Sequence, residues 1–322
     1  MAKIAWLFPG QGSQYVGMGR ALYERFEAAR VVYKAADSAL GWEVSRLCFE
    51  GTEEQLNLTA KTQPAILTTS IAAWRVLEES AGGGGSGIVA KGCFVAGHSL
   101  GEYTALVVAG GLRFIDAVSL VEKRGQYMQE AVPKGTGAMV AILGLENDQV
   151  KEICGEASAA GVVSPANLNS PGQVVIAGDR SAVDRAAMLA RDRGARKVIP
   201  LAVSVPSHCA LMEPACQRLQ GALESTLFSD LSVSLVNNAG ARVLTSAKEV
   251  RESLVTQLRS PLLWEDSIRL MIAKGVDTFV EVGPGRVLSG LVRKIDRKAG
   301  VYNVEDVESL EKTVEGLKSL WN

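Results

Sequence analysis

One strand, turn and helix segment constrains the fold of this chain more than any other part of its sequence. Residues 93–97 form an apolar run typical of a buried strand, GHSLG follows at residues 97–101, and residues 102–109 have a helical pattern. In this context the two glycines allow a tight turn that holds Ser99 out at the carboxyl edge of a parallel sheet. The segment therefore predicts an α/β sheet with a serine nucleophile at its edge. The alternative is a serine that only caps the helix.

Short β-rich runs alternate with apolar patterns of helical period along the chain, which indicates a parallel sheet covered by helices. The predicted strands are residues 3–8, 93–98, 233–237, 278–282 and 301–304, and the predicted helices are residues 21–40, 64–79, 115–130, 211–227 and 264–274. Residues 133–201 instead follow the order strand, helix, strand, strand, helix, strand, which is that of a ferredoxin-like sandwich.

We therefore predict an α/β protein of two domains. A large catalytic domain with a parallel sheet comprises residues 1–132 and 202–322, and a small ferredoxin-like domain of residues 133–201 is inserted into it. The cleft between the two domains is the expected ligand site. The glycine-rich segment at residues 82–87, either natural or left by cloning, is expected to be a flexible surface loop, and we assign it no function.

The charge balance and the cysteine pattern exclude several kinds of partner. The 322 residues carry 34 lysines and arginines against 35 aspartates and glutamates, so no broad electrostatic attraction favours nucleic acid or an anionic membrane. No stretch approaches the roughly 20 apolar residues of a membrane helix, and the apolar start is too short for a signal peptide. The five cysteines include no C-x-x-C pair, which argues against disulfides and a zinc site. We expect a cytoplasmic monomer without a metal ion.

Only two histidines are available as the base for a serine nucleophile. His98 adjoins Ser99 in the turn, where neighbouring side chains usually point apart. His208 follows the last strand of the predicted small domain, in a loop that faces the cleft. A lone histidine is more often a hydrogen-bonded structural residue, but His208 is the one left to serve Ser99. We therefore interpret His208 as the base.

Beyond these residues, the chain resembles the malonyl-CoA:acyl carrier protein transacylases of fatty acid synthesis and their discrete polyketide-synthase relatives. The shared motifs, in the family's order, are FPGQGSQ at residues 8–14, GHSLGE at 97–102, RG at 124–125, GTGAM at 135–139, NLNSPGQ at 167–173, PSH at 206–208 and EVGPG at 281–285. The resemblance implies an α/β-hydrolase-like large domain with a ferredoxin-like insertion. It also implies a ping-pong transfer of malonyl from malonyl-CoA, through Ser99, to the phosphopantetheine thiol of an acyl carrier protein, with no cofactor.

The same resemblance implies roles for the reacting groups. Ser99 would attack the thioester, and His208 would act as base and then as acid. The backbone carbonyl of Gln257 would orient His208, although the sequence alone suggests a surface residue near a helix end. The backbone N–H groups of Gln11 and Leu100 would bind the oxyanion.

Arg124 is expected to bind the malonyl carboxylate through two parallel hydrogen bonds. The alternative is a solvated charge, which is usual for an arginine in a helix. The other residues expected to bind the acyl group are Met128, Ser207 and Asn167. Arg293 and Lys294 belong to a basic cluster that would dock the acidic carrier protein, and a solvated helix face explains this cluster almost as well.

Two other functions stay open. In an acyl-thioester hydrolase, or a proofreading acyl hydrolase of a polyketide assembly line, water would take the acyl group from Ser99. Such an enzyme ordinarily has an acidic triad member between the serine and the histidine, and we identify none. The second alternative is a non-catalytic module that binds carrier proteins, which the presence of both Ser99 and His208 disfavours.

Overall fold

The computed structural model describes residues 3–82, 92–201 and 205–321. The glycine-rich segment beyond residue 82 and the predicted domain boundary at residue 202 lie outside the described residues. The strands are β1 (Ile4–Phe8), β2 (Gly92–Gly97), β3 (Gly137–Leu143), β4 (Val163–Ser170), β5 (Gln173–Asp179), β6 (Lys197–Pro200), β7 (Ser234–Val236), β8 (Val243–Leu244), β9 (Thr278–Val282) and β10 (Gly300–Val304).

The α-helices of the described residues belong to both domains. They are α1 (Arg20–Arg25), α2 (Glu27–Leu40), α3 (Val44–Glu50), α4 (Glu53–Leu56), α5 (Thr59–Ser80), α6 (Gly101–Val108), α7 (Phe114–Ala131), α8 (Asn147–Ala157), α9 (Arg180–Asp192), α10 (Glu213–Glu224), α11 (Ala247–Arg259), α12 (Trp264–Ala273), α13 (Val287–Ile295) and α14 (Val307–Trp321). Short 3₁₀ helices cover Ser158–Ala160 and Ala210–Met212. None of the helices in the described part of the chain is both long and apolar enough to cross a bilayer.

The sheet of the large domain has the order β10-β9-β1-β2-β7-β8, and its strands are parallel except for β8. The central strand β1 is buried along its whole length. Its side chains alternate between the two faces. Trp6 packs edge-on against Trp74 on one side, whereas Leu7 belongs to a second apolar cluster with Trp264 on the other. Helices therefore cover both faces, as parallel strands require.

The ends of β1 and β2 bring two loops together. Phe8, the last residue of β1, pairs with Gly97, the last residue of β2. The backbone N–H of His98 then donates to the Phe8 carbonyl at 3.0 Å, which extends the pairing into the turn. Because the carboxyl ends of parallel strands meet at one edge, the loop after β1 lies beside the turn that carries Ser99.

The antiparallel sheet of the small domain has the order β4-β5-β3-β6, with α8 and α9 packed on one face. This is the arrangement of a ferredoxin-like sandwich, so the predicted fold class is confirmed. The opposite face packs on Cys209, the neighbour of His208. β4 also binds the large domain, because the N–H of Leu168 donates to the Leu262 carbonyl at 2.9 Å. The small sheet is thus anchored beside the candidate base.

The prediction of one continuous helix over residues 21–40 is wrong. Phe26 has an extended backbone (φ −119°, ψ 130°), which separates α1 from α2. Its side chain packs on the large core, and this contact fixes a break that the helical period of the apolar residues does not reveal. The sequence patterns gave no bounds for α11 and α13, and they did not predict α3, α4 and α14.

Candidate active site

Ser99 lies in the turn between β2 and α6, at the carboxyl edge of the large sheet. Its φ is 52°, in the left-handed region that residues with a side chain rarely adopt. Close packing requires the flanking glycines. A methyl group on Gly97 would lie 1.9 Å from the carbonyl carbon of Gly101, and one on Gly101 would lie 2.0 Å from the Phe8 carbonyl oxygen. The turn therefore holds the serine in a strained and well-defined position, as is common at functional sites.

His208 connects Ser99 to α11. Its Nε2 lies 2.8 Å from Ser99 Oγ, and its Nδ1 lies 2.8 Å from the Gln257 carbonyl oxygen. Because a carbonyl can only accept, we assign the ring proton to Nδ1, which leaves Nε2 to accept from the serine hydroxyl. His208 also has a positive φ, 63°, and its N–H donates to the Leu258 carbonyl at 3.1 Å. The imidazole thus has the tautomer and the position of a general base.

The surroundings of His208 keep its ring neutral. Burial, followed by the positive charge of Arg124, lowers the pKa of His208 to about 3. The hydrogen bond to the Gln257 carbonyl acts in the opposite direction and is the smaller effect. At neutral pH the imidazole is therefore in the form that accepts a proton.

Arg124 is fully buried on α7, and neutral groups hold its guanidinium. One Nη donates to Gln63 Oε1 at 2.7 Å, and the other lies 3.1 Å from Ser99 Oγ and 3.1 Å from Gln257 Oε1. Within the described residues, no carboxylate oxygen lies within 4.0 Å of it, and burial lowers its pKa. The alternative of a solvated helix charge is wrong. A buried cation without a carboxylate partner, next to a nucleophile, is well placed to bind an anionic substrate group.

Gln257 lies in the last turn of α11, where it is completely buried, so it is not a surface residue. Its backbone carbonyl accepts from His208, and its side-chain oxygen accepts from Arg124. Its side-chain Nε2 donates to the Ser99 carbonyl at 3.1 Å and to Glu102 Oε2 at 3.0 Å. This one residue therefore contacts the nucleophile, the base and the buried cation.

The loop after β1 packs against the nucleophile turn. A methyl group on Gly10 would lie 2.2 Å from the His98 carbonyl oxygen, so the loop approaches as closely as a glycine permits. In the described part of the chain, neither the Gln11 N–H nor the Leu100 N–H has a hydrogen-bond acceptor. Leu100 is also the N-cap residue of α6, whose amino end favours negative charge. One of these two free donors lies in the turn that carries Ser99, and the other lies in the loop that packs against this turn.

Comparisons with known proteins show the family of the chain. A family model for the acyl transferase domain matches residues 5–318. The malonyl CoA-acyl carrier protein transacylase of Bacillus subtilis is 48% identical over 319 residues, which cover 99% of this chain and 98% of that protein. The chain belongs to this transacylase family. A member from Escherichia coli is 47% identical over 295 residues, which cover 92% of this chain and 93% of that protein.

Solved structures of the transacylase family superpose closely on the chain. A malonyl-transacylase in complex with its type II PKS acyl-carrier protein has a TM-score of 0.93 and 44% identity, covering 98% of this chain and 100% of that chain. An acyl carrier protein S-malonyltransferase from Vibrio cholerae has a TM-score of 0.91 and 44% identity, covering 97% of this chain and 100% of that chain. The predicted family resemblance is confirmed.

Three further residues that the transacylase resemblance pointed to lie around the central network. Met128 is buried, and its sulfur accepts from Gln63 Nε2 at 3.3 Å. The Ser207 hydroxyl donates to the Met139 sulfur at 3.5 Å. Asn167 pairs through its backbone with Leu262, and its buried Oδ1 has no partner within the described residues. None of the three hydrogen-bonds to the nucleophile or the base in this part of the chain.

Arg293 and Lys294 have no hydrogen bond to the nucleophile or its base within the described residues. Both are exposed in the last turn of α13, and Lys294 Nζ donates to Gln173 Oε1 at 2.7 Å. Because Gln173 begins β5, this contact connects the large domain to the small one.

The sequence did not predict four polar side chains that hydrogen-bond to residues of the site or of the nucleophile turn: Gln63, Glu102, Asn169 and Asn238. His98, which was not expected to serve Ser99, hydrogen-bonds to Asn169 Oδ1 at 2.9 Å. One signal could have revealed Glu102, since it is an acid in an otherwise apolar helical pattern directly after the GHSLG turn. The asparagine pair after β7 was a second available signal, at the same edge of the sheet.

Within residues 3–82, 92–201 and 205–321, no three histidine, cysteine, aspartate or glutamate side chains lie close enough together to hold a metal ion. The five cysteines are free thiols, and four of them are buried.

Proposed function

We propose that this transacylase moves a malonyl group from malonyl-CoA to the phosphopantetheine thiol of an acyl carrier protein, through a malonyl ester on Ser99. One observation supports this most strongly. The Ser99 hydroxyl lies 2.8 Å from a neutral imidazole and 3.1 Å from a buried guanidinium. A base activates the nucleophile, and a cation beside it selects an acyl group that carries its own carboxylate.

In the first half-reaction, His208 Nε2 accepts the Ser99 proton as Ser99 Oγ attacks the thioester carbonyl. The carbonyl oxygen becomes an oxyanion, which the N–H groups of Gln11 and Leu100 stabilise. When the carbon–sulfur bond breaks, the coenzyme A sulfur takes the proton from the imidazolium. The products are the malonyl ester and free coenzyme A.

In the second half-reaction, the phosphopantetheine thiol gives its proton to His208 and attacks the ester carbonyl. The same two N–H groups stabilise the second oxyanion, and Ser99 leaves with the proton from His208. The chemistry is reversible, and the carrier protein leaves as its malonyl thioester. Arg293 and Lys294 would attract an acidic carrier protein to the surface of α13.

The bound carboxylate also affects the base. The charge of Arg124 is the second cause of the low pKa of His208. A malonyl carboxylate paired with Arg124 would offset that charge and raise the pKa of His208 towards its usual value, which strengthens the base. An acetyl group has no carboxylate and would leave the base weak. Met128, Ser207 and Asn167 would line the space around the acyl group.

The proposal includes a cytoplasmic monomer that needs no cofactor. Ser99, His208, Arg124, Gln257 and Gln11 all come from one chain, so the reacting groups are complete without a second subunit. The reaction described above is a sequence of proton transfers and acyl substitutions that these groups perform by themselves.

The decisive experiment follows the acyl group by intact-protein mass spectrometry. The protein is exposed to malonyl-CoA, freed from excess substrate and then mixed with either buffer or a holo acyl carrier protein. We expect a stoichiometric adduct that is absent in Ser99→Ala and that the carrier removes much faster than buffer does. Equal discharge in buffer would instead identify an acyl hydrolase, and no adduct at all would support a non-catalytic carrier-binding module.

A further inference from the structure

A buried carboxylate that the mechanism does not use lies directly behind the nucleophile. Glu102 is in the first turn of α6 and is fully buried. Its Oε2 accepts from the Asn238 backbone N–H at 2.9 Å and from Gln257 Nε2 at 3.0 Å. Its Oε1 has no partner within the described residues. All its observed hydrogen bonds therefore converge on one oxygen.

Those hydrogen bonds determine which way the Gln257 amide faces. Glu102 Oε2 and the Ser99 carbonyl are acceptors, so both require the NH₂ group of the amide. The amide oxygen then faces Arg124, which donates to it at 3.1 Å. The flipped amide would place oxygen against the oxygens of Glu102 and Ser99, and NH₂ against the guanidinium. Glu102 therefore favours the single orientation that supports Arg124.

We propose that Glu102 is a positioning residue for acyl-group selection, whose Oε2 fixes the Gln257 amide and thereby places the Arg124 guanidinium beside Ser99. The proposal rests on the proposed function, since it concerns selection of malonyl. Asn238 connects Glu102 to the turn that carries the nucleophile. Its side chain accepts from the Ser99 N–H at 2.7 Å and donates to the Gly97 carbonyl at 2.8 Å.

The contact pattern distinguishes an acceptor role from a charge role. A glutamine at position 102 can place its carbonyl oxygen where Oε2 lies and its NH₂ group where the unpartnered Oε1 lies. It keeps both hydrogen bonds and removes the charge. A methionine has a similar shape but no strong acceptor, so it releases the Gln257 amide.

The test compares Glu102→Gln and Glu102→Met with wild type in single-turnover acylation by malonyl-CoA and by acetyl-CoA. We expect Glu102→Met to reduce the malonyl-to-acetyl ratio of rate constants about tenfold or more, and Glu102→Gln to keep it within about threefold. Single-turnover rate constants do not depend on the fraction of folded protein. An unchanged ratio in Glu102→Met, or an equal loss in Glu102→Gln, would overturn the proposal.

Glu281 provides a matched control. It is a second buried carboxylate, and its oxygens accept from the backbone N–H groups of Leu288 and Ser289 at the start of α13. Glu281→Met should lower the melting temperature without changing the malonyl-to-acetyl ratio. If it changes the ratio as much as Glu102→Met does, the effect is a general one of buried carboxylates and the proposal fails.

A double-mutant cycle with Gln257→Met tests the route of action. This variant retains the backbone carbonyl that holds His208. If Glu102 acts through Gln257, adding Glu102→Met to Gln257→Met should change the ratio by less than about threefold. An additive effect would overturn the proposed route. A wild type without any malonyl preference would instead overturn the proposed function, and the role of Glu102 with it.

Discussion

Ser99 and His208 are joined by a 2.8 Å hydrogen bond, and both have a positive φ. Within the described residues, Ala241 is the one other non-glycine residue with this conformation. Each strained backbone is held by a partner distant in sequence, since the Ser99 N–H donates to Asn238 Oδ1 and the His208 N–H donates to the Leu258 carbonyl. Tertiary contacts thus maintain a geometry that the local chain disfavours.

Ser99→Gly should relieve the backbone strain that Ser99→Ala retains, and both variants should lose acylation. Glycine adopts the left-handed conformation without a Cβ clash, so Ser99→Gly should be more stable than Ser99→Ala by about 1 kcal/mol. Urea unfolding of the two variants measures the difference, and mass spectrometry should detect no adduct in either. An alanine variant as stable as the glycine variant would show that the turn is not strained.

Arg124 should control acyl selectivity more than the chemistry itself. Arg124→Met keeps the volume of the buried side chain but removes two charge-assisted hydrogen bonds, so acylation by malonyl-CoA should fall about 10²- to 10³-fold. Acylation by acetyl-CoA should fall much less. Arg124→Lys retains a charge without the planar fork and should be intermediate. Unchanged discrimination in single-turnover assays would remove Arg124 from substrate selection.

The strands and the nucleophile turn were predictable because their signals are local. The β1 prediction started one residue before the observed strand, and the glycines at 97 and 101 indicated the close contacts that the structure contains. The presence of only two histidines indicated the base, and the family motifs added Arg124 and Gln257. Local patterns failed at Phe26, where a packing contact overrides the helical period.

The hydrogen bonds that Glu102 and Arg124 make behind Ser99 were not predictable, because the partners are distant in the chain. Glu102 meets Asn238 across 136 positions and Gln257 across 155 positions, and Arg124 meets Gln63 across 61. The local sequence indicates at most that such a residue is unusual, as for Glu102 in its otherwise apolar helix, and it does not identify the partner. Only the folded packing reveals that these side chains are buried and hydrogen-bonded to one another.

The histidine should make the fold acid-sensitive. The pKa of His208 is about 3 in the folded chain and near its ordinary value of 6.5 in the unfolded chain, so between these values the unfolded state binds more protons. The stabilising contribution is complete above pH 6.5 and is lost as the pH falls towards 3. The free energy of unfolding of wild type minus that of His208→Gln should therefore become smaller as the pH falls through this range.

Urea unfolding from pH 7 to pH 4 measures that difference. The buried carboxyls of Glu102 and Glu281, whose pKa values burial raises to about 7, change stability in the opposite direction. They are present in both proteins, so the subtraction removes their contribution. A difference that does not depend on pH would contradict the lowered pKa of His208.

Gly10 should be essential for oxyanion stabilisation. A methyl group there would lie 2.2 Å from the His98 carbonyl oxygen, so Gly10→Ala must displace the loop that carries the Gln11 N–H. We expect the acylation rate constant to fall by roughly 10² or more, as when one oxyanion donor is lost. Gly221→Ala in α10, where a methyl group meets nothing within 4 Å, is the control and should keep the wild-type rate. Normal acylation by Gly10→Ala would exclude Gln11 as a donor.

Arg293 and Lys294 should affect only the second half-reaction. They are exposed on α13 and have no hydrogen bond to the nucleophile or its base within the described residues, so Arg293→Glu with Lys294→Glu should leave acylation by malonyl-CoA intact. Transfer to an acidic carrier should slow by about tenfold or more at low salt and less at high salt, because screening weakens the repulsion. The rate constant for adduct discharge, measured against carrier concentration, gives the effect.

The control for this double reversal changes the net charge by the same amount elsewhere. Lys151→Glu with Arg191→Glu reverses two exposed charges on the helices of the small domain. If docking depends on the α13 pair, this control should discharge at nearly the wild-type rate. Equal slowing in both variants would show that the carrier responds to total charge, and equal loss of acylation and transfer would show that the α13 pair acts on the fold of the site.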